Sequence, residues 1–198
     1  GIGSGKTTVA NYFSSLGIAV IDADRVVHDL SRPGQAVYQS IVEEFGENIL
    51  NDDATLNRKL LGQIVFDDPA LKKKLESIIH PAVRQQMQQE ISKAHSPYCI
   101  LVIPLLAETD FTELVDRVLV VSADVARRIE WVGARDSIDQ EMIKKIMASQ
   151  ASDGQRSRIA DDIIENNDSI ESLLEKVEVL DREYRQLGQE YPITTSSR

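Results

Sequence analysis

Eight consecutive residues, Gly1-Ile2-Gly3-Ser4-Gly5-Lys6-Thr7-Thr8, have the make-up of a loop that wraps an anion. Glycines let the backbone turn its amides inward, a lysine neutralises outer phosphates, and the hydroxyl of Thr7 is placed to ligate magnesium. The run fits the end of the pattern G-x-x-x-x-G-K-[ST]. The first glycine of that pattern and the strand that feeds such a loop would lie ahead of Gly1, so the natural protein is expected to begin upstream. A glycine-serine linker ahead of a chance lysine is the competing reading. It leaves unexplained why an amphipathic helix and an apolar strand follow at once.

Two aspartates come next. Asp22-Ala23-Asp24 closes the strand-like run Ile18-Ala19-Val20-Ile21, and ligands of open α/β sheets bind beyond the carboxyl ends of strands. One carboxylate could take the proton of a substrate hydroxyl, and either could hold magnesium through water. The alternative is that Asp24 caps the helix starting near Arg25. The later run Ile100-Leu101-Val102-Ile103 reaches Pro104 with no acid before Glu108. Metal and base duties therefore shift toward Asp22 and Asp24, which favours a small-molecule kinase over a motor or signalling GTPase.

Cations are concentrated as well. Five of the thirteen arginines, Arg127, Arg128, Arg135, Arg156 and Arg158, lie within 32 residues of an acidic chain. Guanidinium groups on a mobile segment neutralise charge that develops in phosphoryl transfer, and Arg135 and Arg156 are expected to face the nucleotide. The same arginines could instead pair with Glu130, Asp136, Asp139 and Glu141 on a solvated helix surface.

The elements that must position these groups alternate between helical and strand periodicity, as in an α/β fold. Val9, Phe13 and Leu16 mark a helix after the loop, and residues 36–42 a second one stopped by Gly46. Residues 56–95 read as almost wholly helical, interrupted at His80-Pro81 because the residue before proline leaves the helical region. That insertion is longer than a crossover needs and reads as a helical subdomain. Strands are expected at Tyr98–Ile103, Val118–Val121 and Asp161–Ile164. Between the last two, 123–159 is charged and helical with little core-forming content, and 170–187 forms an amphipathic C-terminal helix.

With 198 residues, one sizeable core is possible. A net charge of −10 repels phosphate backbones and anionic lipid, so nucleic acid and membrane surfaces are poor partners. Any anionic ligand needs a local cationic pocket. The single cysteine, Cys99, rules out an internal disulfide and points to a reduced, cytoplasmic setting. The longest apolar stretch, Cys99–Ala107, falls well short of the roughly 20 residues of a membrane helix.

In order along nearly the whole chain, the segments resemble the dephospho-CoA kinase family. The matching pieces are Gly1–Ala10, Val20-Ile21-Asp22-Ala23-Asp24, Phe45-Gly46, Arg58 with Val65-Phe66, His80-Pro81, Pro104-Leu105-Leu106 with Glu108, Asp116–Val121, Arg135-Asp136, Gln150 with Arg156, and Ala160-Asp161-Asp162 followed by Asn166. The loop alone is generic, whereas the Asp-Ala-Asp, His-Pro and Pro-Leu-Leu-x-Glu series is specific.

The resemblance implies a P-loop kinase with a parallel five-stranded sheet whose first, central strand precedes residue 1. It implies transfer of the ATP γ-phosphate to the ribose 3′-hydroxyl of dephospho-CoA, with Mg2+. In one domain, 1–35, 97–122 and 159–193 would form the nucleotide-binding core, 36–96 the helical CoA-binding part, 123–158 a lid and 194–198 a disordered tail. Asp24 resembles the general base, with Lys6 and Arg135 as the other catalytic groups. Gly1–Thr8, Arg135, Arg156 and Asn166 would bind nucleotide, and Asp24, Arg58, His80, Leu105 and Glu108 the acceptor. Thr7 and Asp22 would hold the metal. His80 could equally be structural, held by the turn at Pro81.

The chain departs from the family pattern beyond its start. An arginine expected one turn before Arg135 is Trp131, and a glutamine three residues earlier is Arg128. Tryptophan cannot neutralise phosphate, and such an arginine is worth about 10³-fold or more in rate. Either Arg127 or Arg128 substitutes for it, or catalysis is reduced. Another small-metabolite kinase and a nucleotide-binding protein with decayed catalysis are the alternatives.

Overall fold

A helix begins where Gly5 (φ +95°) turns out of the loop, and the computed structural model places α1 at Lys6–Ser15. Residues 1–104, 106 and 110–190 are described. They form two compact units, one of Gly1–Ile21 with the described residues from Ser92 onward, the other Asp22–Ile91.

In the first unit, β1 (Ala19–Asp22, its last residue at the boundary) pairs with β2 (Cys99–Val102), and β3 (Leu119–Ser122) with β4 (Asp162–Glu165). The second pair is parallel, with Leu119 opposite Asp162 and Val121 opposite Ile164. Parallel strands need a long crossover, supplied here by α6 (Val125–Asp136), α7 (Gln140–Ala148) and α8 (Asp153–Arg158). These four strands in two pairs are what the described residues hold of the expected five-stranded sheet.

The core of this unit joins α1 to α9 (Ile170–Glu190) over the strands, with Val9, Phe13, Val121, Ile164, Leu173, Val177 and Tyr184 all buried. Phe13, Tyr98 and Tyr184 form an aromatic cluster with edge contacts at 6.2 and 5.5 Å. The tyrosine hydroxyls must find acceptors at its margin. Tyr98 donates to Asp181 at 2.6 Å and Tyr184 to Asp162 at 2.7 Å. Segment 123–159 has more core than its composition suggested, because Val132 and Ile143 are fully buried.

Asp162 ties β4 to α9 and to Arg117, which donates to both of its oxygens. Burial pushes this carboxyl up, but the hydrogen bonds from Arg117 and Tyr184 outweigh it and hold the carboxyl below the usual aspartate range. The resulting stability is complete above that range and lost as pH falls through the lowered folded value. Asp162→Asn should cost about 2 kcal/mol at neutral pH and flatten the acid limb of stability measured by urea unfolding across pH. An unchanged acid limb would show the pair to be energetically idle.

In the second unit, α2 (Ala23–Leu30), α3 (Ala36–Phe45), α4 (Arg58–Asp67) and α5 (Pro69–Ser92, reaching one residue past the boundary) follow in order. Gly46 ends α3 as expected. Val37, Ile41, Ile49, Leu56 and Leu61 form the core, with Leu75, Ile78, Ile79 and Ala82 packed on it.

One expectation fails here: α5 runs through His80-Pro81 without a break. An interior proline loses one N–H and crowds the carbonyl four residues back, at roughly 3 kcal/mol. Val83 and Met87 beyond it are 2% and 0% exposed, and burying each such side chain gains about 1.5–3 kcal/mol. Packing on both sides of the proline outweighs its local cost.

Candidate active site

The loop enters α1 through Gly5, which has an αL backbone and no side chain to cap the helix start. The first-turn amides of Lys6, Thr7 and Thr8 lack intrahelical acceptors by geometry, which is what an anion at a helix start requires. Side chains from 123–166 brace the loop on several sides. Gln150 accepts from the Ile2 amide at 3.1 Å, and Arg128 donates through Nε to the Ile2 carbonyl at 3.0 Å. Asn166, buried at the end of β4, donates to the Ser4 carbonyl at 3.1 Å. Lys6 Nζ and Ser4 Oγ both donate to the Gly1 carbonyl, at 2.7 and 3.1 Å.

Close approach explains the glycines here. A Cβ on Gly3 (φ +71°) would lie 2.6 Å from Val132 Cγ2 and 2.9 Å from the Arg128 carbonyl oxygen. One on Gly5 would overlap the Asn166 amide.

Cations converge on this loop. Arg128 is 2% exposed and Arg156 half-buried, and both guanidinium groups lie beside Gly1. The Lys6 ammonium is held below its ordinary pKa, by burial first and then by Arg156 and Arg128. Three positive groups around one loop cost energy that a polyphosphate would return.

Arg156 lies beside Gly1, at the start of the loop. Arg135 is exposed on α6 in a bidentate pair with Asp136 at 2.7 Å, near enough to Lys6 to add a smaller lowering. Arg127 stacks over Trp131 at 6.0 Å and donates to the Asp168 carbonyl. Of the two candidates to stand in for the missing arginine, Arg128 is the one at the loop. Its signal in the sequence was its place one turn before Val132, on the buried face of α6.

The second unit carries the other expected residues. Asp22 is the N-cap of α2, its Oδ1 accepting from the amides of Asp24 and Arg25 at 2.8 and 3.3 Å. The capping role considered for Asp24 therefore belongs to Asp22. Asp24 is exposed in the first helical turn. Arg58 donates to Ser31 Oγ at 2.8 Å and to the His28 carbonyl at 3.4 Å, binding the start of α4 to the end of α2. His80 is half-buried within α5, so the turn thought to hold it is absent. Leu105 and Glu108, and the tail 194–198, lie outside the described residues.

Comparison with known proteins adds a second line of argument. A family profile described as dephospho-CoA kinase matches residues 1–172. The dephospho-CoA kinase of Coxiella burnetii is 40% identical over 190 residues, spanning 96% of each chain. That of Escherichia coli K12 is 38% identical over 191 residues, spanning 96% of this chain and 93% of its own. Among solved structures, a Thermus thermophilus protein superposes with a TM-score of 0.81 at 28% identity, over 92% of this chain and 93% of its own. The dephospho-CoA kinase of Campylobacter jejuni does so at 0.66 and 28% identity, over 93% and 94%.

Proposed function

The chain belongs to the dephospho-CoA kinase family, and from that premise we propose how its residues carry the transfer. The protein is an ATP-dependent kinase that phosphorylates dephospho-CoA, a step of coenzyme A biosynthesis. We assign the ribose 3′-hydroxyl as the attacking group. Its oxygen bonds to the γ-phosphorus as the bond to the β,γ-bridging oxygen breaks, ADP leaves, and the hydroxyl proton passes to the Asp24 carboxylate. What supports Asp24 is its exposed place in the first turn of α2, with the cap already supplied by Asp22.

Little covalent chemistry falls to the protein in such a transfer, so positioning and charge stabilisation dominate. The loop amides, Lys6 and Arg156 bind the outer phosphates, with Arg135 meeting the charge on the transferred group. Asn166 keeps the loop in shape through the Ser4 carbonyl. Arg58 and His80 are assigned to the acceptor, as are Leu105 and Glu108. The proposed division is 36–96 for the acceptor, 123–158 as a lid, and 1–35, 97–122 and 159–193 as the nucleotide-binding core.

The hydroxyl and carboxylate oxygens of Thr7 and Asp22 are the hard donors that Mg2+ prefers. Thr7 is exposed in the first turn of α1. Bound there, the ion would neutralise the β- and γ-phosphates. A cytoplasmic setting belongs to the same proposal; among the described residues no helix is long and apolar enough to cross a membrane.

The observation that carries this reading is the braced loop with Lys6 and Arg156 beside it, in a chain matching the family over residues 1–172. The test is coupled ADP release with dephospho-CoA against shikimate- and gluconate-type acceptors. Dephospho-CoA is expected to turn over fastest, with the new phosphate on the 3′-oxygen. Faster turnover of another acceptor would overturn the assignment.

A further inference from the structure

Two of the three cations at the loop share one anion. Asp153 accepts from Arg128 Nη1 through both oxygens, at 3.1 and 3.2 Å, and from Arg156 Nη2 through Oδ1 at 2.5 Å. Arg128 in turn donates to the Ile2 carbonyl, so a continuous set of bonds runs from Arg156 through Asp153 and Arg128 to the phosphate loop. We infer that Asp153 is a positioning residue for nucleotide binding, holding Arg128 and Arg156 as a ready-made guanidinium pair beside the loop before ATP arrives.

The local fold is built to keep this carboxylate in place. Asp153 is the first residue of α8, directly after Ser152 and inside the capping box that Ser152 forms with Gln155. There the Gln155 amide donates to Ser152 Oγ at 3.2 Å, and the Ser152 amide donates to Gln155 Oε1 at 2.7 Å. Reciprocal caps of this kind fix the entry angle of a helix. The Asp153 side chain is 56% exposed, whereas those of Arg128 and Arg156 are 3% and 15% exposed. Solvent therefore reaches the carboxylate more readily than the cations it holds.

The electrostatics call for such an anion. Lys6, Arg128 and Arg156 repel one another around a short loop, and that repulsion helps to depress the Lys6 pKa. In the absence of nucleotide, one bridging carboxylate offsets it and leaves Arg156 further N–H donors for a phosphate, because a guanidinium has five. Without Asp153, Arg156 gains rotamer freedom that ATP must remove on binding. Immobilising one such side chain costs enough to weaken binding by about 3- to 10-fold.

The inference rests on the proposed nucleotide role of Arg156, and a double-mutant cycle separates the two. Asp153→Asn should raise the KM for ATP by about 3- to 10-fold, with kcat and the KM for dephospho-CoA nearly unchanged. Removing a negative charge beside a polyanion would by itself tighten binding, so a raised KM reports lost positioning and not lost charge. In an Arg156→Gln background, Asp153→Asn should add little, since Arg156 is gone and Arg128 keeps its bond to the Ile2 carbonyl.

An unchanged KM in Arg156→Gln alone would reject the nucleotide role of Arg156. A raised KM there beside an unchanged or lowered one in Asp153→Asn would reject the inference alone, as would a full effect of Asp153→Asn persisting without Arg156. If Asp153→Asn lowers the melting temperature but leaves the KM for ATP unmoved, the bridge is merely structural and the inference falls.

Discussion

Asp24→Asn is expected to lower kcat for dephospho-CoA phosphorylation by about 10²- to 10⁴-fold, the usual contribution of a general base. ATP affinity should stay within about 2-fold, since the lost interaction belongs to the transition state and not to ground-state binding. Asp22 holds the N-cap of α2 through Oδ1, so the helix start survives the loss of the Asp24 charge. Asp24 is exposed, and surface changes away from caps and cores usually shift stability by no more than about 0.5 kcal/mol. Single-turnover rates and ATP titration on the same preparation decide the matter. An equal loss of ATP binding would assign Asp24 to the metal or to folding.

Lys6→Met should lower kcat/KM for ATP by about 10²- to 10³-fold, the scale for removing one preorganised donor at developing charge. Stability should move the other way. The Lys6 ammonium is disfavoured by burial, then by Arg156 and Arg128, so its folded pKa lies below that of the unfolded chain. A lysine of this kind penalises the folded state below its folded pKa, and the penalty is relieved as pH rises toward the unfolded value. Removing the charge removes the penalty, offset in part by loss of the bond to the Gly1 carbonyl. The melting temperature of ligand-free Lys6→Met at neutral pH should match or exceed that of the parent. A fall in melting temperature would make Lys6 a structural residue whose loss harms activity indirectly. Charge crowding that costs stability in the empty protein is typical of sites selected for function.

Both variants concern residues legible in the chain itself, and the reason is local. A phosphate loop is contiguous, so its glycines, lysine and hydroxyls appear side by side before any tertiary structure exists. The same holds for α1, where Val9 and Phe13 are one turn apart and both buried, and for Asp22 at the end of β1. Local reasoning failed where packing overrides propensity. At Pro81 the dihedral preference of the preceding residue argued for a break, but Val83 and Met87 are buried in the continuing helix. The cap went to Asp22 and not Asp24, a two-residue shift that strand and helix boundaries read from sequence do not resolve.

By itself, then, the sequence determined the phosphate loop, the helical and strand segments around it, and the order of motifs that places the chain among dephospho-CoA kinases. These are properties of near neighbours or of motif order. Only the tertiary structure decided which remote side chains brace that loop. Arg128, Gln150 and Asn166 reach Ile2 and Ser4 across more than 120 residues of chain. Nothing in the spacing of five arginines says which become buried beside a phosphate site and which pair with a neighbour on the surface. A guanidinium is equally charged in either place, and its role is set by burial and by the partner it meets, as Arg128 meets Asp153 and Arg135 meets Asp136.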